Sequence, residues 1–212
     1  MPKGWNRRSA VELAITVSVL MAVLLVYGRF VRWVEQRPGV VLPDPVLELF
    51  APRNLTWVIF VLIYAGLFTA ILTLAWRAER LLFGLQSYAA MVLLRMVALW
   101  LVPLEPPQHM VPLVDPFVHV LGPGALLTND LFFSGHTASL FVLYLVAPHG
   151  WPRNFLLMGT AVVACCVLLQ HIHYSIDVLG ALVFAPAAVK LASTLRARFG
   201  LVLAADSAPF RG

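Results

Sequence analysis

Long apolar runs broken by short polar or proline-rich stretches set the rhythm of this 212-residue chain. Six runs, over roughly 11–30, 55–76, 88–104, 132–147, 154–171 and 176–194, each approach the ~20 residues that a helix needs to cross a bilayer. They predict an all-α, polytopic membrane protein: one domain over 1–212, built as a bundle of six transmembrane helices. No internal repeat, low-complexity tract or long linker divides it. The opening "MPKGWNRRSAVELAITVSVLMAVLLVYGRF" has the charged start of a signal peptide. Its apolar core is too long for one and no small-residue cleavage site follows, so it reads as an uncleaved first helix. The stretch after 195 reads as a short, basic, frayed tail.

Composition fixes the solvent. With 61% hydrophobic and 12% charged residues and a mean hydropathy of +0.87, a soluble domain of this length could not hide its apolar surface. The net charge of +5 does not call for a nucleic-acid partner, because the cations flank the apolar runs, where membrane proteins keep them. Thirteen of the fifteen cations are Arg, a bias that GC-rich bacterial coding produces. With the N-terminus inside, the inner side collects Lys3, Arg7, Arg8, Arg77, Arg80, Arg153, Lys190, Arg196, Arg198 and Arg211. The outer side holds Arg29, Arg32, Arg37 and Arg53. Ten against four puts both termini in the cytoplasm, and in a bacterium puts the outer loops in the periplasm. The cation-free loop 105–130, rich in proline from Pro106 to Pro123, is expected to be an irregular outer lid. Cys165 and Cys166 are neighbours in an apolar run and read as helix residues without a disulfide.

The candidate chemistry gathers on that outer side. His173 and Asp177 are four residues apart, hence on one face once a helix has begun. A carboxylate there fixes the imidazole tautomer and raises the basicity of the other nitrogen, or the two form a satisfied interfacial pair. In "DLFFSGHTASLF" (130–141), Ser134, Gly135 and His136 stand where a helix starts. Free N–H groups there can hold an anion, and Gly135 lets the backbone approach it. The alternative is that Ser134 caps the helix and His136 snorkels to water. Together the two motifs can run a double displacement, in which one imidazole attacks phosphorus to give a phosphohistidine and the other protonates the leaving oxygen. Arg95, costly inside an apolar run, would offset phosphate charge or form a structural ion pair. Asp130 either caps the helix or tunes the site.

Other polar residues carry less. His171 and His173 form a His-x-His pair with no third ligand at a convincing spacing, so no metal is expected, and no other cofactor either. His109, His119 and His149 read as solvated loop residues. Phe132, Phe133, Tyr88 and Trp100 could box a quaternary ammonium, although aromatic residues belt most membrane interfaces. A transporter or a haem-bearing electron carrier is the rival class. The first predicts ionisable residues spread through the bundle, and the second a Soret band.

The paired motifs resemble the phosphatidic acid phosphatase type 2 (PAP2) superfamily, whose second and third signatures centre on Ser-Gly-His and His-x-x-x-Asp. Within it, Asp130-Leu-Phe-Phe-Ser-Gly-His136-Thr137 and His173-Tyr-Ser-Ile-Asp177-Val178 are similar to the strings of the sphingomyelin synthase branch. Leu42-Pro43-Asp44 partly matches that branch's Pro-Leu-Pro-Asp element, and Arg95 through Pro107 resembles its Arg-bearing helix with a Pro-rich end. Val167 replaces the arginine of the phosphatase-type third signature, as in the synthase branch, while Thr128-Asn129 replaces that branch's Cys-Gly. The resemblance implies a six-helix bundle with its site facing the lumen or periplasm and no metal. His173 would be the nucleophile, Asp177 its orienter and His136 the acid, with Arg95, Ser134, Gly135, Asp44 and Asp130 around the substrate. It further implies transfer of phosphocholine or phosphoethanolamine from a glycerophospholipid to ceramide or diacylglycerol. A lipid phosphatase or phospholipase C-like hydrolase is the alternative, and the oligomeric state stays open.

The charge asymmetry makes a direct prediction. Cysteines placed in the 105–130 loop of intact cells should react with an impermeant maleimide, and a cysteine replacing Arg77 should not. The opposite labelling pattern would invert the topology.

Overall fold

A computed structural model of the chain describes residues 5–115 and 127–199, and the described residues form six α-helices. These are α1 Arg7–Val34, α2 Thr56–Leu74, α3 Ala78–Leu101, α4 Gly135–Val146, α5 Trp151–Leu169 and α6 Ser175–Arg198, with a 3-10 turn at Leu47–Leu49. Helix α1 starts on a reciprocal cap: Ser9 N donates to Asn6 Oδ1 at 2.9 Å, and Asn6 N to Ser9 Oγ at 2.8 Å. Two of the first orphan N–H groups are thereby satisfied. All helices but α4 are long and apolar enough to cross a membrane, and the large apolar side chains left exposed on α1 and α2 suit a lipid solvent.

Two helices depart from the expected spans. Helix α3 begins at Ala78, about ten residues before the predicted 88. The polar residues that hid this start find partners inside the bundle, since Gln86 Nε2 donates to Thr16 Oγ1 at 3.1 Å and Gln86 Oε1 accepts from Arg196 Nη1 at 2.7 Å. Helix α4 begins at Gly135 rather than 132 and has 12 residues, about 18 Å of axial rise against about 30 Å of hydrocarbon. The apolar Phe132 and Phe133 precede it as a non-helical bend, and at its cap Ser134 N donates to the Asp177 carbonyl of α6 at 3.0 Å. Five helices therefore meet the length criterion where six were expected. Of the expected lid, residues 105–115 carry no helix or strand, while 116–126 lie outside the described residues, as do Lys3, His119 and Arg211.

Packing follows the apolar faces. Helix α4 sits at the centre, touching α2, α3, α5 and α6, while α1 leans on α3. Small residues on α3 and α6, including Ala90, Ala181, Ala185 and Ala188, are buried against Met91 and Val142 and allow close approach of the helices. Ile59, Leu140, Leu156 and Val163 fill the space between α2, α4 and α5. At the outer end the chain between helices is tied across the bundle. Val40 bridges to the 103–105 segment, and Gly39 lies so close to it that a Cβ would come within 2.6 Å of the Leu104 carbonyl carbon. Buried Gln170 accepts from Leu55 N at 2.9 Å and donates to Thr56 Oγ1 at 3.0 Å and Val111 O at 3.2 Å.

At the other end, Arg196 Nη1 meets Glu12 Oε1 at 2.9 Å, so the start of α1 and the end of α6 lie at one end of the bundle. Breaking a buried ion pair from one side costs about 3 kcal/mol or more. Glu12→Ala should therefore lower the thermal unfolding midpoint in detergent by several degrees without altering the outer end. An unchanged midpoint would mean that water replaces the carboxylate at no cost.

Candidate active site

The irregular turn between α5 and α6 delivers His173 and Asp177 together. Asp177 is fully buried and His173 nearly so, and His173 Nδ1 lies 3.3 Å from Asp177 Oδ2. The same carboxylate oxygen accepts from Tyr174 N at 2.9 Å, so one side chain starts α6 and orients the imidazole. With the shared proton on Nδ1, His173 Nε2 carries a lone pair, the arrangement a nucleophile requires. Tyr174 locks the turn from outside: its hydroxyl donates to Glu105 O at 2.9 Å and accepts from Leu42 N at 3.2 Å. Burial raises the pKa of this phenol above its ordinary value, which keeps it neutral and able to donate.

The start of α4 faces this turn. Ser134 is its cap, accepting from Thr137 N at 3.4 Å, and Gly135 and His136 form its first turn. The His136 and His173 rings are 5.8 Å apart between centroids, with planes at 60°, and the edge-on ring of Phe60 flanks His136 at 6.1 Å. His136 Nδ1 is buried and meets no partner among the described residues. The two imidazoles differ in one respect that matters: His173 has a carboxylate and His136 has none.

Arg95 closes the site from α3. It is 3% exposed, and its Nε donates to the Tyr27 hydroxyl at 2.9 Å. Its Nη2 donates to the Asp130 carbonyl at 2.9 Å and pairs with Asp130 Oδ1 at 3.0 Å. The Tyr27 hydroxyl in turn donates to the Asp130 carboxylate, 2.9 Å from each oxygen. Arg95 Nη1 is buried and has no partner among the described residues. A Cβ on Gly135 would stand 3.1 Å from the guanidinium carbon and 3.5 Å from Nη1, so the absence of a side chain at 135 lets the guanidinium lie against the helix start. Arg95 is thus ion-paired and still keeps one N–H edge available.

His136, His173, Asp177, Arg95, Ser134, Gly135 and Asp130 accordingly converge at one end of the bundle. Asp44 is placed differently. Its carboxylate accepts from Ser175 N at 2.6 Å, Ser175 Oγ at 3.1 Å and Val46 N at 3.0 Å, holding the start of α6 and through it the His173 turn. The four aromatic residues considered as a cation box are scattered. Phe133 stacks on Phe184 at 4.8 Å and Phe132 meets the same ring edge-on. Trp100 is 58% exposed, and Tyr88 lines a separate groove. His171 Nδ1 faces Gln108 O at 3.4 Å and its ring abuts Phe50, while His149 contacts Arg153 at 2.9 Å. Among the described residues no three His, Cys, Asp or Glu side chains come together in a metal-binding group.

Two contributors were not among the residues singled out from the sequence: Tyr27 of α1 and Glu35, its C-cap. Glu35 accepts from Thr128 N at 2.7 Å and Asn129 N at 2.6 Å, fixing the segment that leads to Asp130. Their spacing of eight residues places them on one face of the first helix, and that is the signal that could have found them.

Residues 128–194 match the family model described as PAP2 superfamily C-terminal, a span that includes both histidine motifs. The match supports the PAP2 superfamily, and with it a phosphoesterase or phosphotransferase acting on lipid-like substrates. No curated protein is a significant match to the chain.

Tyr27→Phe removes one hydrogen bond to the buried Arg95 and one to the half-buried Asp130, bonds to charged groups that are worth about 1.5–3 kcal/mol each. The variant should fold and lose activity, kcat/KM falling about 10–100-fold through misplacement of Arg95. Full kcat/KM in the purified variant would show that Asp130 alone sets the guanidinium.

Proposed function

We propose that the chain is a membrane lipid phosphotransferase of the sphingomyelin synthase type. It would move phosphocholine or phosphoethanolamine from a glycerophospholipid to ceramide or diacylglycerol. The observation that carries this reading is the pair of imidazoles 5.8 Å apart, only one of which has a carboxylate on its rear nitrogen. That asymmetry divides the labour between a nucleophile and an acid.

In the first half-reaction, His173 Nε2 attacks phosphorus and the bond from phosphorus to the glyceride oxygen breaks. Protonated His136 gives its proton to the departing alkoxide, leaving a phosphohistidine and a diacylglycerol. Asp177 stabilises the positive charge that His173 acquires, the role of the orienting carboxylate in nucleophile–base–acid triads. Arg95 Nη1 and the first N–H groups of α4 face the phosphoryl oxygens, where charge grows in the transition state. In the second half, the acceptor hydroxyl attacks phosphorus and His136 takes its proton. The bond from phosphorus to nitrogen breaks, and both histidines return to their starting states.

Hydrolysis, with water as acceptor, shares the first half-reaction. The family match favours it as the second reading, because the superfamily supports a phosphatase-type enzyme. Incubating purified protein with head-group-labelled phosphatidylcholine, with and without ceramide, separates the two. Labelled sphingolipid formed only with ceramide supports transfer, and labelled phosphocholine released in both supports hydrolysis. The rival class of a transporter draws no support from the interior, where the buried ionisable side chains among the described residues gather at the two ends. Arg95, His171, His173 and Asp177 lie at one end and Arg196 at the other.

We place the protein in a bacterial inner membrane, with the site on the periplasmic side and both termini cytoplasmic. The contact of Arg196 with Glu12 supports an even number of crossings, with α4 and the non-helical segment before it as the sixth. The substrates are then the lipids of the outer leaflet.

The assignment of the histidines is tested by three variants against two substrates. His173→Ala should abolish head-group release from both a natural lipid and a nitrophenyl phosphodiester. His136→Ala should fail with the lipid, whose alkoxide needs a proton, and recover much of its activity with nitrophenolate, which departs unaided. Asp177→Asn should fold and lose several orders of magnitude in rate with both. Recovery of His173→Ala alone would reverse the two roles.

A further inference from the structure

Inward of the histidines lies a cavity of about 260 Å³, and its walls belong to the helices that carry the site. On α4 it is lined by Ser139, Leu140 and Leu143, which sit three, four and seven residues beyond His136 and therefore on its face of the helix. On α3 it is lined by Leu81, Gly84, Leu85 and Tyr88, and Tyr88 stands seven residues, about two turns, before Arg95. Both stripes thus run outward into the site, one ending at the acid and the other at the guanidinium.

The dimensions and chemistry fit a single kind of occupant. From the helical rise, Leu143 lies about 10 Å below His136 and Leu81 about 21 Å below Arg95, comparable with half of the ~30 Å hydrocarbon thickness. The groove is therefore about one leaflet deep. Its described lining carries no charge, and Ser139 and Tyr88 supply its polar side chains. A head group or ion would lose hydration there without compensation, whereas a hydrocarbon chain would not. On the lipid side the wall is Leu67 and Ile71 of α2, 45% and 51% exposed, with Leu20 of α1 opposite. At Gly84 a Cβ would stand 3.1 Å from Leu74 Cδ1 and 3.7 Å from Val146 Cγ2, so a side chain at 84 would crowd the inner end.

We infer that this groove receives one acyl chain of the lipid whose phosphate occupies the Arg95–His136 site, with Leu67, Gly84 and Ser139 setting the chain it accepts. The inference rests on the lipid-phosphate reading of the site. The adjacency explains how a phosphate on a membrane lipid reaches the histidines without leaving its leaflet: the chain slides between α1 and α2 while the head group stays at the outer end.

The test uses the full chain in nanodiscs doped with a phosphatidylcholine that carries a diazirine near the end of one acyl chain. On illumination, crosslinks should concentrate on α3 and α4 near Tyr88 and Leu143. Leu67→Trp, at a position 45% exposed, should reduce them several-fold. The same variant should raise KM several-fold for a long-chain phospholipid and leave a short-chain one unchanged. Crosslinks spread over the exposed faces of α1 and α2 and indifferent to Leu67→Trp would overturn the groove, as would an equal kinetic effect on both lipids. Concentrated crosslinks in a wild-type protein that releases no head group would leave the groove standing and remove the catalytic reading instead.

Discussion

A guanidinium among transmembrane helices has to be compensated where it lies, and the outer end of this bundle is arranged around the compensation of Arg95. An unpaired buried cation costs several kcal/mol. Asp130 supplies the counter-charge at 3.0 Å, and Tyr27 bridges both, accepting from Arg95 Nε and donating to Asp130. Asp130 is in turn placed by its own chain, which Glu35 clamps through Thr128 N and Asn129 N. The segment that enters α4 therefore follows from a charge on α3, from Tyr27 of α1 and from Glu35 at its C-cap. Through Ser134 N and the Asp177 carbonyl the same segment fixes the distance between the two histidines.

The network has a consequence for how the site is built. Its local parts, the start of α4 and the turn into α6, are rigid by short-range geometry: a cap, an i,i+4 pair and a carboxylate shared between a backbone N–H and an imidazole. Its relative placement depends on contacts across the bundle, from Tyr27 to Asp130, Asp44 to Ser175 and Tyr174 to Glu105. A site assembled in this way tolerates variation in the lipid-facing helices and is sensitive to any change that lets α1 move against α3.

That division also decides what could be read from the sequence. The two histidine motifs were legible because each is built from neighbours in sequence, His173 with Asp177 four residues on and His136 at a helix start. Tyr27 and Glu35 were not, because their partners are some hundred residues away and a tyrosine near a membrane interface has an ordinary explanation in the aromatic belt. Helices α1, α2, α5 and α6 were legible from unbroken hydropathy. The start of α3 was hidden because Gln86 is polar in the sequence and satisfied only by Thr16 and Arg196. The start of α4 was misplaced for the opposite reason: Phe132 and Phe133 are apolar and buried or half-buried without being helical. Asp44 carried a motif-like string, and its carboxylate is occupied in starting α6.

Among the described residues, Arg95 Nη1, His136 Nδ1 and Asp177 Oδ1 of the candidate site are buried and meet no partner, as does His171 Nε2 at the same end. Each such group costs about 1–3 kcal/mol when left unmatched, and the first three meet where α4 and α6 start. Their signs are complementary to a reaction. The guanidinium edge presents donors, as an anionic phosphoryl group requires, and it and the His136 imidazole adjoin Gly135, where no side chain intervenes. The carboxylate lies behind the other imidazole, where it can answer the positive charge that forms on attack. An interior selected for stability alone would pair these groups with one another; held apart, they remain available to a charge that develops between them.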